Sequence, residues 1–260
     1  MRWIPPGEFM MGSPEDEHDR YPDEGPQHRV TIRAGYWLCD TACTQEMWQA
    51  VMGSNPSHFQ SPDRPVEQVS FEDARAFCKQ LESLLPGLGL GLPSEAQWEY
   101  ACRAGITTPF SFTTTTITTE QVNFDGNHPY LPDDAKGEYR ETTVPVTSLP
   151  ENPWGLYEMH GNVQEWCQDT WHENYSNAPK DGSAWVDVNV DSHVLRGGSW
   201  SSLARVSRSA FRHWYDPLYR FDNIGFRCAR VQQAQAGGKE QAEPVSAECV
   251  NENETLVFRI

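Results

Sequence analysis

The chain has 260 residues, 38% of them hydrophobic and 12% aromatic with ten Trp, enough to bury a sizeable core in one large domain or two small ones. A formal net charge of −17 argues against nucleic acid, whose binders need clustered Lys and Arg; most of that charge serves solubility. No apolar run of about 18 residues offers a membrane span, MRWIPPGEFMMG lacks the pattern of a signal peptide, and the seven scattered cysteines contain no CxxC pair, so a reducing cytoplasm and no zinc cluster are expected.

In chain order, RWIPPGEFMMG and HRVTIRAGYWLC read as short strands on either side of the acidic loop EDEHDRYPDEGP, with Val30, Ile32, Tyr36 and Leu38 on a half-buried alternation. TQEMWQAVMG reads as a helix capped by Thr44 and ended by Gly53. A stronger helix starts at Ser70, which with Asp73 resembles a capping box built on the shorter acid. Phe71, Ala74, Phe77, Cys78 and Leu81 then recur at three- and four-residue steps until Pro86 stops the run. PSEAQWEYACRAG repeats the scheme, with Ser94 and Gln97 as the box, Trp98, Ala101 and Cys102 as the stripe and Gly105 as the C-cap.

Residues 106–195 are rich in Thr, Asn, Asp, Gly and Pro, with only brief apolar pairs. So long an irregular stretch needs something other than a strand ladder to hold it, and a buried ion is one means. Beyond residue 230 comes a polar linker, and the final TLVFRI is expected to dock as an edge strand. No internal repeat is present.

Five motifs stand in a fixed order: GEFMMGS, RPVEQVSFEDARAFC, LPSEAQWEYACRAG, GLYEMHGNVQEWCQD and RGGSW…GFRCAR. In this combination the sequence resembles the formylglycine-generating enzyme, or sulfatase-modifying factor, family over residues 1–230, leaving 231–260 as linker and tail. The resemblance implies one α+β domain with a C-type-lectin-like fold and low regular secondary structure. The two main helices, short strands and long loops read from the residues agree with it.

Enzymes of that family oxidise a substrate cysteine using O2 and Cu(I), held by two thiolates that lie two and seven residues after the aromatic of the GGS-aromatic motif. Counted from Trp200 those positions are Ser202 and Ser207. A hydroxyl is a hard, neutral oxygen and Cu(I) needs soft thiolate, so neither copper nor a catalytic residue is expected. The family's second enzymatic branch uses non-haem iron and an added helical domain. Residues 1–43 leave no room for that domain, and the eight histidines form no HxxxH or HxH pair. A third branch, which modifies siderophore precursors without the cysteine pair, stays open.

The resemblance also implies structural Ca2+. By position, one ion would take the Glu158 and Glu165 side chains with the Gly161 and Val163 carbonyls, hard oxygens from a tight turn. Glu158 stands where the family commonly has Asn or Asp. A second ion would take Asn123 and Phe124 with a partner near Glu138. The plain alternative is a polar turn whose carboxylates cap neighbouring amides.

The C-terminal segment divides into two sets of residues. Arg196, Gly197, Gly198, Ser199, Trp200, Arg208, Ser209, Arg212, Pro217, Arg220 and IGFR match the family's structural pattern, and the arginines are expected to hold loops by bidentate bonds. Between them stand Ser201, Ser202, Leu203, Val206, Ser207, Phe211, His213, Trp214, Tyr215, Leu218, Tyr219, Phe221 and Asp222. Rigid aromatics mixed with Ser have the composition of a binding paratope. The segment also resembles the variable region of proteins diversified by diversity-generating retroelements, which use this lectin-like fold; their variable segment ends the chain, whereas residues 231–260 follow here. The expectation is a ligand-binding module for a protein partner, with Trp214 and Tyr215 exposed side by side. An enzyme acting without the cysteine pair would instead enclose a titratable pair in a cleft, and an assembly subunit would bury these rings against another chain.

Overall fold

The computed structural model describes residues 1–112 and 114–231. Strands β1 (Arg2–Ile4), β2 (Gly7–Met11), β3 (His28–Ile32) and β4 (Tyr36–Leu38) come first, followed by helices α1 (Gln45–Met52) and α2 (Phe71–Leu84). Strand β5 (Leu90–Gly91) and helix α3 (Glu95–Arg103) precede a long irregular stretch. The chain then forms β6 (Gln164–Thr170), β7 (His193–Arg196), β8 (Arg212–Tyr215), β9 (Ile224–Gly225) and β10 (Ala229–Val231). No helix among the described residues is long and apolar enough to cross a membrane. TLVFRI and the linker before it lie outside the described residues.

Local chemistry sets the helix ends. Thr44 Oγ1 accepts from the Met47 amide at 3.2 Å, and Gly53 closes α1 in the left-handed conformation at φ 77°. Both expected capping boxes form, Ser70 with Asp73 and Ser94 with Gln97. The end of α3 differs from expectation: Ala104 takes the left-handed C-cap position at φ 47°, and Gly105 follows it. The Ala104 amide still reaches the Tyr100 carbonyl at 3.1 Å, a bond that offsets the strain of a Cβ there.

Three sheets result. One has the order β1-β4-β10-β5, one is the β2-β3 hairpin, and one has the order β8-β7-β6-β9. Strand β6 was not expected from sequence. Its seven residues, QEWCQDT, are buried at every position but one, so both faces are inside and no alternation marks it. The parallel β6–β9 pair brings Glu165 opposite Gly225, while among the described residues β8 hydrogen-bonds only to β7 and forms an outer edge.

The core lies in two large clusters. Ile4, Val30, Tyr36, Leu38 and Trp98 belong to one, and the apolar stripe of α2 with Trp48, Trp166 and Phe226 to the other. Trp98 and Trp166 are fully buried, each contributing on the order of 3 kcal/mol of transfer free energy. A third cluster, Phe110, Ile117, Val122, Phe124, Tyr130 and Ala204, ties the irregular stretch to the C-terminal segment.

Candidate functional site

The frame expected of the arginines is present and almost wholly buried. Arg196 donates to Glu95 and Glu99 at 2.7 Å each, and Arg208 is paired with Glu24 and Glu17. Arg212 reaches both oxygens of Glu95, and Arg227 both oxygens of Glu165, with the Tyr157 carbonyl at 2.8 Å as a further acceptor. Burial alone would push the Glu95 carboxyl up, but the Arg212 and Arg196 guanidiniums more than offset it and hold it at about 2. Arg220 is the exposed member and binds Asp73 at 2.7 and 2.9 Å.

On this frame the interleaved residues face outward, with one exception. Ser207 is fully buried behind Gly198, where even a Cβ would come within 2.6 Å of its Oγ, so it leaves the expected surface set. Ser201, Ser202, Leu203, Val206 and Asp222 are partly exposed. Leu203 lines a groove of about 370 Å³ with Arg205, Asp19, His128, Leu131 and Lys136.

Trp214 and Tyr215 are not side by side. Strand β8 alternates its side chains, so the two residues leave opposite faces. Trp214 joins Trp171 at 6.2 Å, on the face where Arg212 lies over the Trp171 and Tyr175 rings. On the other face a continuous aromatic row runs from Tyr21 to Phe211, His213 and Tyr215, and on to Tyr219 and Phe221. Every Trp, Tyr or Phe exposed among the described residues lies in this segment: Trp214 at 45%, Tyr219 at 48% and Phe221 at 40%, with Leu218 beside them at 63%. Tyr21 and Trp171, far away in sequence, complete the two faces; nothing in their local pattern marks them.

The donor set at the positions of the family's copper ligands does not fit copper. Ser202 Oγ accepts from the Ser199 amide at 2.9 Å, and the Ser207 hydroxyl is enclosed. Neither offers sulfur. A buried Cys102–His160 contact at 3.6 Å resembles a nucleophile and its base, yet burial pushes the thiol up to about 12 and the imidazole down to about 4. Both groups are therefore neutral, and His160 instead bridges the Ser207 carbonyl and Ser111 at 2.7 and 2.8 Å. This pair holds loops together.

At the turn from which calcium ligands were expected, the donors stand in different states. Gly161 is obligatory there: at φ +76° a Cβ would stand 2.3 Å from the Asn123 carbonyl oxygen. Glu158 is buried, its Oε1 has no partner among the described residues, and burial raises its carboxyl to about 7. An orphaned carboxylate oxygen fits a hard cation. Glu165 fits less well, because Arg227 and the Trp98 indole already occupy its two oxygens, and Val163 packs inside as a core residue. At the second position the Asn123 Oδ1 is likewise buried and unpartnered and Phe124 is core, but Glu138 lies exposed, 3.4 Å from Arg140. No group of three His, Cys, Asp or Glu among the described residues forms a ready metal cluster.

One group had no signal in the sequence. Glu67 is fully buried, accepts from the Phe59 amide at 2.8 Å and leaves Oε2 without a partner among the described residues. Burial, aided by the charge of Asp222, raises its carboxyl to about 7 despite the amide bonds it accepts. Phe59 packs edge-on against Trp200, whose indole donates to the Asp222 carbonyl at 3.0 Å.

A lectin-like frame of buried arginines, in which the copper thiolates are replaced by serines, defines the class of this domain. The family model for the sulfatase-modifying factor enzyme 1-like domain matches residues 1–232, and the chain belongs to that family. It is 36% identical to the serine/threonine-protein kinase pkn1 of Chlamydia caviae over 88% of this chain and 38% of that protein. It is 32% identical to the formylglycine-generating enzyme of Mus musculus over 70% of this chain and 50% of that enzyme, so it spans half or less of these relatives' lengths. PvdO from Pseudomonas aeruginosa superposes with a TM-score of 0.76 at 33% identity, covering 88% of this chain and 92% of that one. Treponema denticola variable protein 1 does so with 0.75 at 27% identity, covering 88% and 94%. The fold is the C-type-lectin-like fold of the formylglycine-generating type.

Proposed function

We propose that this protein is a binding module that grips a protein partner through the outward side chains of residues 201–222, and that it performs no copper-dependent oxidation. One observation carries the reading: the exposed Trp, Tyr and Phe side chains of the described residues concentrate in the segment whose arginines are locked to buried acids. Rigid aromatics on a fixed backbone give contact area at little entropic cost. The likeness to the Treponema variable protein supports a further step, that the interleaved codons of 196–227 are diversified by a retroelement. Ca2+ at Glu158 would be structural. The six described cysteines stand as free thiols, the state that a reducing cytoplasm maintains.

Binders selected from a display library on the full chain test this reading. They should lose at least about tenfold in affinity on the Leu218→Ala, Tyr219→Ala, Phe221→Ala triple variant and keep it on a Met10→Ala, Leu84→Ala control. Binders indifferent to the triple variant would sink it. The other reading, an enzyme working without the cysteine pair, has one observation in its favour: Glu67, a buried carboxyl with Oε2 unpartnered among the described residues and raised to about 7 by burial and the charge of Asp222.

A further inference from the structure

We infer that the partner contributes a guanidinium: the Tyr215, Tyr219 and Phe221 rings, flanked by Asp216 and Asp222, form a clamp for an arginine side chain of the bound protein. This deepens the binding-module reading and rests on it. The three rings form a triangle with centroids 5.2, 5.4 and 5.5 Å apart. Tyr215 and Tyr219 lie within 16° of parallel and Tyr219 and Phe221 within 26°, so the rings stack on one another, and Tyr219 and Phe221 are also exposed. A ring face carries negative potential and attracts cations.

The acids that adjoin the rings in sequence have the matching sign. Asp216 and Asp222 flank the triangle in sequence, and among the described residues the Asp216 carboxylate is engaged by the Leu218 amide, at 2.9 Å. Cations of the same segment are committed elsewhere. Arg212 and Arg208 are buried on Glu95 and Glu24, and Arg205 lies over Tyr21. Arg220 is held by both oxygens of Asp73. Burial lowers His213, which leaves that imidazole neutral at physiological pH. Among the described residues no Arg or Lys stacks on Tyr215, Tyr219 or Phe221.

The described residues contain such an arrangement on the opposite face of the same strand. There the Arg212 guanidinium lies 4.6 Å from the Trp171 ring centroid and 4.3 Å from that of Tyr175, with Glu95 supplying the carboxylate. The opposite face repeats the rings, and no Arg or Lys of the described residues lies over them, which leaves that place to a partner's guanidinium. A planar guanidinium suits near-parallel rings and a carboxylate rim better than the compact ammonium of Lys.

The test uses a random-peptide display library selected on the full chain and counter-selected on the Leu218→Ala, Tyr219→Ala, Phe221→Ala variant, with unchanged melting as the check on folding. Face-dependent peptides should be enriched in Arg, and replacing that Arg by neutral citrulline should cost at least about tenfold in affinity. Asp222→Asn should weaken the arginine peptide severalfold and leave the citrulline peptide unmoved. Face-dependent peptides without Arg, or equal binding by the citrulline form, would overturn the clamp while leaving the binding module standing. Arginine peptides that bind the triple variant equally would reduce the effect to general attraction by an acidic protein and also overturn it. If no peptide depends on the face, both readings fall.

Discussion

Arg212 and Glu95 meet through two parallel bonds, Nε to Oε1 at 2.6 Å and Nη2 to Oε2 at 2.9 Å, and both residues are buried. Glu95 opens α3 and Arg212 opens β8, so the strand that carries the candidate surface is fixed to a helix by a charged pair rather than by apolar packing. Arg196 of β7 binds the same carboxylate at 2.7 Å. One acid thereby sets the position of two strands.

Removing one partner of such a pair strands a buried charge, so Arg212→Ala or Glu95→Gln should lose about 3–5 kcal/mol of stability in urea titration. Leu218→Ala or Tyr219→Ala, at exposed positions, should change it by about 1 kcal/mol or less. Similar losses for both classes would contradict the separation of frame from surface.

Stability should fall as pH rises through the weakly acidic range. Glu67, Glu158 and Asp169 are buried acids raised to about 7 in the folded state, from ordinary values of 4.5, 4.5 and 3.8. Between those limits the folded chain keeps protons that the unfolded chain has released, so their contribution is largest below the ordinary values and is gone above about 7. Glu95 works in the opposite sense, but its window lies lower, between about 2 and its ordinary value of 4.5. Glu67→Gln should flatten the decline between about pH 5 and pH 8 in denaturation midpoints, and an unchanged slope would count against an unpaired buried carboxyl there.

Calcium should raise the melting temperature through Glu158. Millimolar Ca2+ should shift the wild type by several degrees, at most about 8 °C, and Glu158→Gln should abolish the shift. Melting unaffected by strong chelation in the purified protein would argue for a plain polar turn.

Copper should bind only after sulfur is restored. The wild type should take up no stoichiometric Cu(I) and convert no cysteine peptide to an aldehyde, whereas Ser202→Cys with Ser207→Cys should gain Cu(I) binding in a competition titration with a chromogenic chelator. Tight uptake by the wild type would refute the loss of the centre.

Much of this was legible because it depends on local chemistry. Thr44, Ser70 and Ser94 announce their helices by satisfying backbone amides, and the α2 stripe is buried residue for residue as its spacing implies. The arginine frame was readable from the ordered motifs. Strand β6 was hidden because Gln164, Glu165 and Asp169 sit inside, where a polar residue erases the apolar pattern that would reveal a strand. The division of Trp214 from Tyr215 follows from strand alternation once β8 is recognised, but RHWY alone does not declare a strand. Glu67 and Tyr21 reach the site only through tertiary contacts, so no local pattern could place them.

Sequencing codons 196–227 in many isolates, together with the flanking locus, tests the central claim most directly. The account predicts substitutions concentrated at Leu203, Phe211, His213, Trp214, Tyr215, Leu218, Tyr219 and Phe221, invariant codons for Arg196, Arg208, Arg212 and Arg227, and a near-identical template copy beside a reverse transcriptase gene that differs at template adenines. Substitutions spread evenly over both sets, in a locus with no such copy, would contradict it.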